Sequence, residues 1–159
     1  MATFYRLEKA RRAAEAFAGL GGLHDDGRWH RQGRPVAYAS EHPAVAVLEK
    51  LAWLGSFEDA VAGDFVVVPI RIPPALIEVV DVAGLPGGWA VFPHPPETQG
   101  LGARWLREGR SVALQVPSAV MPSAMNVLLN PLHPKMASLV VGEPAPFRWD
   151  PRLFKSART

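Results

Sequence analysis

One carboxylate stands out against its surroundings. Glu49 lies in the run His42-Pro-Ala-Val-Ala-Val-Leu-Glu-Lys-Leu-Ala-Trp-Leu54, which is apolar nearly all round when wound at about 100° per residue. On that wheel Glu49 falls between Val45 and Trp53 and close to Ala52, so its carboxylate projects from an apolar face. Burying an ionised carboxylate is costly unless a cation, hydrogen-bond donors or a wet cleft compensate it. A salt bridge to Arg28 or Arg71 would meet that need without any catalytic role. The residue types alone leave structure and function even at this position.

Three other places offer chemistry. In Gly27-Arg-Trp-His-Arg-Gln-Gly33, the glycines permit tight turning, and the guanidinium groups of Arg28 and Arg31 can fork onto a phosphate or pyrophosphate. The segment is no P-loop, because the lysine followed by serine or threonine is missing, and it lacks the glycine spacing of a dinucleotide fingerprint. Its plainer reading is a surface turn whose tryptophan plugs the core. Tyr38, one of two tyrosines, sits at the end of a strand feeding the Glu49 helix and by itself reads as core. Ser118, in Val116-Pro-Ser-Ala-Val120, can hydrogen-bond a ligand, although a serine after proline commonly satisfies a local turn. The flanking glycines of a nucleophile elbow are absent.

The elements that must position these residues follow from periodicity and punctuation. Leu7 to Leu20 carries Ala10, Ala14 and Phe17 at helical spacing and reads as an amphipathic helix. Pro35 to Ala39 suits a strand, Ser40 reads as a helix N-cap, and Glu41 to about Leu54 reads as a helix with Pro43 in its first turn. Asp64 to Ile72 is a strand in which Pro69 implies an edge or a bulge. The Pro- and Gly-rich stretch from 73 to 96 holds too many apolar residues for a disordered linker and reads as an ordered excursion. Glu97 to Glu108 reads as a helix. Short strands are expected at Ser111–Val116, Val127–Leu129 and Leu139–Val141, with Phe147 to Asp150 closing the fold before a basic tail. The expected fold class is α+β: a single domain over 1–159 with a mixed, largely antiparallel sheet and a few helices.

Composition narrows the classes further. At 159 residues, with 48% hydrophobic and 20% charged residues, the chain has globular averages, which argues against disorder. Cysteine is absent, so disulfides, thiolate nucleophiles and iron–sulfur ligation are excluded. The five histidines are scattered, none in a two-histidine helical motif, and no metal site is expected. No apolar run approaches the roughly 18 residues that cross a bilayer, and the N-terminus lacks the apolar stretch of a secretory signal. A cytoplasmic location without membrane contact is the expectation. The formal charge is +2, with basic residues concentrated early, but aromatic interleaving and helix-turn-helix patterning are missing. Direct nucleic-acid binding is therefore a weak reading.

Taken in order, the motifs resemble the RES domain, a bacterial family named for an arginine, a glutamate and a serine. Tyr5-Arg6, Gly27-Arg-Trp29 with Gly33 and Pro35, Val36-Ala-Tyr38, Ala46-Val-Leu-Glu49, Gln99-Gly-Leu-Gly102 with Trp105, Val116-Pro-Ser-Ala-Val120, Asn130-Pro-Leu-His-Pro134 and Pro146-Phe-Arg-Trp-Asp-Pro151 match it in kind and order. His30 departs from it, standing where the family commonly has asparagine, as do Asp25 and Asp26. The resemblance implies an ADP-ribosyltransferase-like fold and a toxin that consumes NAD+ as its substrate, with no permanently bound cofactor. Either nicotinamide is split off by water or phosphate, or ADP-ribose is transferred to a protein. It further implies an Xre-like antitoxin partner, a joint oligomer with it, and DNA contact only through that antitoxin. On this reading Glu49 and Arg28 are catalytic, with Glu49 stabilising oxocarbenium-like charge and Arg28 also holding the NAD phosphates. Tyr38 packs on the nicotinamide end, Ser118 hydrogen-bonds the substrate, and Arg31, which is no family hallmark, is a second candidate for phosphate. The rival from a different class is a non-catalytic module that binds nucleotide or nucleic acid.

Overall fold

Leu7, Glu8 and Lys9, which the periodicity places at the start of a helix, form the end of a strand. In the computed structural model, which describes residues 1–154, β1 (Ala2–Lys9) lies antiparallel to Phe65–Ile72, with every one of its residues in register from Ala2 opposite Ile72 to Lys9 opposite Phe65. Only a 3-10 helix at Ala10–Glu15 follows. The local helix preference of the alanines and charged residues amounts to tenths of a kcal/mol each, and a ladder along the whole strand outweighs it. The expected basic tail, 155–159, lies outside the described residues.

The remaining elements run α1 (Gly21–His24), β2 (Ala37–Ser40), α2 (Pro43–Trp53), α3 (Phe57–Val61), β3 (Phe65–Ile72), β4 (Ile77–Val79), α4 (Pro96–Glu108), β5 (Ala113–Pro117), β6 (Met125–Leu129), β7 (Val140–Val141) and β8 (Ala145–Phe147). All eight strands join one sheet in the order β4-β5-β6-β2-β1-β3-β7, with β8 also pairing β3. Only β4 and β5 are parallel; the other pairs are antiparallel. The fold is α+β with a mixed, largely antiparallel sheet, as the irregular spacing of strands and helices implies.

Pro69 shows how the sheet tolerates a residue without an amide hydrogen. It faces Tyr5 on one side, while its carbonyl accepts from Gly142 N at 2.9 Å on the other. Because the N and O of one strand residue point the same way, its missing N–H falls in the gap between β8, which covers Phe65–Val67, and β7, which covers Ile70 and Arg71. The expected edge character is local to that gap.

Ser40 is the last residue of β2 and does not cap α2; His42 does, its Nδ1 accepting from Ala44 N at 3.1 Å, with Pro43 in the first turn. One face of the sheet buries Phe4, Val68, Ile70, Val127 and Leu129. On the other, α2 presses Val47 and Leu51 against Leu7 and Phe65, and the Trp29 turn and α4 cover Leu114, Val116 and Leu128. Between these two covers the second face stays polar. No helix among the described residues is long and apolar enough to cross a membrane.

Candidate active site

Strand parity places the polar groups. Ser40 pairs with Asn126, which pairs with Val116, and Tyr38 pairs with Leu128, which pairs with Leu114. These side chains share the face over which α2 lies, so the pleat aims Tyr38, Ser40 and Asn126 beneath Glu49. Ser118 follows directly on β5, its N–H donating to Ala124 O at 2.9 Å.

Glu49 is half-buried, and its compensation comes from neutral donors. Ser118 Oγ donates to Glu49 Oε1 at 2.6 Å, and Asn126 Nδ2 donates to the same oxygen at 2.7 Å. Ser118 is wholly buried and its Oγ also accepts from Met121 N at 3.0 Å. The Ser40 hydroxyl donates to Asn126 Oδ1 at 2.7 Å, which orients the amide so that its nitrogen faces the carboxylate. Among the described residues Glu49 forms no salt bridge, so neither Arg28 nor Arg71 neutralises it by direct contact. Hydrogen bonds to a charged acceptor contribute about 1.5–3 kcal/mol each, and two such donors meet the cost of half-burying the carboxylate in place of a cation. With both donors on Oε1, Oε2 is left without a protein hydrogen bond among the described residues.

The apolar wheel around Glu49 is only half core. Val45 and Ala46 are buried, but Trp53, one turn beyond Glu49, is 63% exposed. Its ring lies 5.7 Å from His94, which in turn meets Phe92 edge-on at 5.5 Å, and Phe92 is 76% exposed. The wheel is therefore part core and part exposed aromatic surface. A hydrophobic pattern alone does not distinguish that from a buried face.

The Gly27–Gly33 turn is both a core plug and a source of site residues. Trp29 is buried beside Trp89 and Trp105. Gly102 of α4 meets the turn so closely that a side chain there would overlap the Trp29 carbonyl, and Gln99 Nε2 donates to Gly27 O at 3.1 Å. Arg28 Nη1 donates to the carbonyls of Trp89, at 2.8 Å, and Val91, at 2.7 Å, tying down the loop before α4. Burial lowers the Arg28 pKa from its ordinary value, and the nearby Glu49 carboxylate and Tyr38 oppose this. Tyr38 is buried enough to push its phenol well above the usual tyrosine range, despite the Trp29 backbone and Arg28 pulling the other way. Its hydroxyl meets His30 Nδ1 at 2.6 Å.

The structure thus gathers Glu49 and Ser118 in direct contact, with Tyr38 and Arg28 close enough to share their electrostatics. Arg31 is separate: it is exposed, and its guanidinium lies over Gly100 of α4. Asn126 and Ser40 are the members that spacing missed, since a polar residue in a strand carries no mark until its cross-strand partner is known. Among the described residues no group of three or more histidines and carboxylates is placed to hold a metal ion. What the arrangement can do is present a carboxylate oxygen near exposed aromatic rings, an arginine and a desolvated phenol.

Comparison with known proteins shows the family of the chain. A family model described as the RES domain matches residues 3–150. The chain is 36% identical to a protein named Toxin Res from Photorhabdus laumondii over 128 residues, covering 80% of this chain and 81% of that one. It is 37% identical to a protein of the same name from Pseudomonas putida over 137 residues, covering 86% and 92%. A Sphingobium protein named Prs ADP-ribosylating toxin is 29% identical over 160 residues, covering 98% of each. Among solved structures, the M. tuberculosis MbcT–MbcA toxin–antitoxin complex contains a chain with TM-score 0.73 at 18% identity, covering 98% of this chain and 88% of that one, which is a likeness of fold.

Proposed function

Because the chain belongs to the RES domain family, we propose that it is the toxin of a bacterial toxin–antitoxin pair and that it consumes NAD+ in the cytoplasm by breaking the nicotinamide–ribose bond. The observation that carries this reading is the Glu49 carboxylate, anchored through Oε1 by Ser118 and Asn126 and lying within the field of Arg28.

In the proposed reaction the C–N bond between ribose and nicotinamide breaks, and its electron pair returns to the pyridinium nitrogen and neutralises it. Positive charge then develops on the ribose. A fixed anion is worth most where charge appears in the transition state, which is the role assigned to Glu49. Water or inorganic phosphate adds through oxygen at the ribose carbon and releases its proton to solvent or to Glu49. Tyr38 packs against the nicotinamide end, and Arg28, with Arg31 as a second cation, holds the phosphates; Ser118, expected from the resemblance to hydrogen-bond the substrate, is wholly buried and acts instead through Glu49, to which its one hydroxyl proton is committed. NAD+ is the substrate, and no resident cofactor is invoked.

A second reading, transfer of ADP-ribose to a protein, is favoured by the name of the Sphingobium relative. The MbcT–MbcA complex supports an antitoxin partner; we assign it to the Xre-like class, in a joint oligomer through which alone DNA is contacted. Purified protein incubated with NAD+ should release nicotinamide, and product masses with and without phosphate or lysate protein identify the acceptor. No nicotinamide release, together with salt-sensitive binding to duplex DNA, would support a non-catalytic binding module.

A further inference from the structure

His30 is 6% exposed, and its two ring nitrogens face partners of different kinds. Nε2 lies 2.8 Å from the backbone oxygen of Asp25, and Nδ1 lies 2.6 Å from the Tyr38 hydroxyl. A carbonyl can only accept, so Nε2 carries the hydrogen. A neutral imidazole has one N–H, which leaves Nδ1 as an acceptor and makes the phenol the donor. The Tyr38 proton is therefore directed at His30, and the rings are held with centroids 5.5 Å apart.

The turn that holds His30 is itself braced. Gly27 N donates to His30 O at 3.1 Å, Asp26 Oδ1 accepts from Gln32 N at 2.7 Å, and a side chain on Gly27 would run into the imidazole. A ring seated this firmly, bonded through both nitrogens, has little freedom to answer a change of charge by moving.

We propose that His30 is a positioning residue: by accepting the phenolic proton at Nδ1 it seats the Tyr38 ring for substrate, and the site works only while the imidazole is neutral. This role rests on the NAD+ reading. Protonation would add a second N–H aimed at the phenol, forcing Tyr38 to turn its hydrogen aside or shift its ring. The groups around His30 are Asp25, Asp26 and Arg28 on its own turn, Tyr38 on β2, His94 in the loop before α4, and the neutral Gln99 on α4. Burial lowers the His30 pKa from its ordinary value, with the Asp25 carbonyl and the carboxylates of Asp26 and Asp25 opposing. The neutral form therefore prevails at neutral pH.

The test has one arm with NAD+ and one without. Between about pH 5 and 8, kcat/KM of the wild-type protein should fall on the acid side, approaching about tenfold per pH unit below the His30 ionisation. His30→Leu should lose about tenfold or more at neutral pH. His30→Asn, whose amide can donate and accept without ionising, should recover most of that loss and lack the acid limb. His94→Gln should keep the limb. In a double-mutant cycle, His30→Leu should cost far less in a Tyr38→Phe background. Independently of NAD+, nitrogen NMR of the imidazole should show the Nε2–H form, and Tyr38→Phe should raise the His30 ionisation by removing the donor that favours the neutral ring.

An acid limb retained in His30→Asn, wild-type activity in a folded His30→Leu, or a His30 titration unmoved by Tyr38→Phe would each overturn the proposal. If the wild-type protein released no nicotinamide, the functional reading would fail and the catalytic role with it. The NMR arm would then show whether the His30–Tyr38 bond stands on its own.

Discussion

The carboxylate of Glu49 and the side-chain amide of Asn126, 77 positions apart, meet at 2.7 Å. Asn126 is 7% exposed and is aligned by Ser40, so Glu49 is oriented by a residue on the strand beneath it. Asn126→Ala should leave the protein folded but lower nicotinamide release by roughly tenfold or more, the equivalent of about 1.5–3 kcal/mol for a bond to a charged acceptor. Asn126→Asp should be worse in both melting temperature and turnover, because it sets a second carboxylate against the first. Melting curves and chromatographic assay of nicotinamide check both.

Glu49→Gln keeps the shape and removes the charge. Turnover should drop about a hundredfold or more if the anion stabilises the transition state, with KM changed much less. Steady-state kinetics that showed only a KM effect would reassign Glu49 to substrate binding.

Arg28 spends two hydrogen bonds on the carbonyls of Trp89 and Val91. A lysine ammonium has no fork to reproduce them. Arg28→Lys should therefore loosen the 86–94 loop and raise KM for NAD+ by about tenfold, and limited proteolysis should cut that loop faster than in the wild-type protein. Unchanged proteolysis would show that the two carbonyl bonds do not restrain the loop.

Acid should destabilise the fold through two imidazoles that folding desolvates, His30 and His94. Burial lowers the pKa of His30 from 6.5; burial, aided by Arg28 and His30, does the same for His94. The unfolded chain takes up these protons first, so stability is full above the ordinary histidine range. It declines as pH falls from about 6.5 through the lower folded values. Urea titrations across that window should show the decline, and His30→Asn should flatten it.

The sequence by itself determined the local elements and the suspicion that fell on Glu49. Pro43 and the helix formers around it specify α2, the β-branched run specifies β3, and a carboxylate set in an apolar wheel is costly enough to demand a partner. Its ordered motifs also pointed to the RES family. Tertiary structure decided what has no local signature. It turned Leu7 into a strand residue, because pairing with β3 is a long-range gain that helical periodicity cannot register. It moved Ser40 from a helix cap to a hydrogen bond with Asn126 across 86 positions. It also converted part of the apolar wheel into exposed aromatic surface at Trp53. The partner of Glu49 lay beyond sequence reasoning for the same reason: the choice between an arginine and a pair of neutral donors depends on which strands are adjacent, and register, a property of the assembled sheet, fixes that.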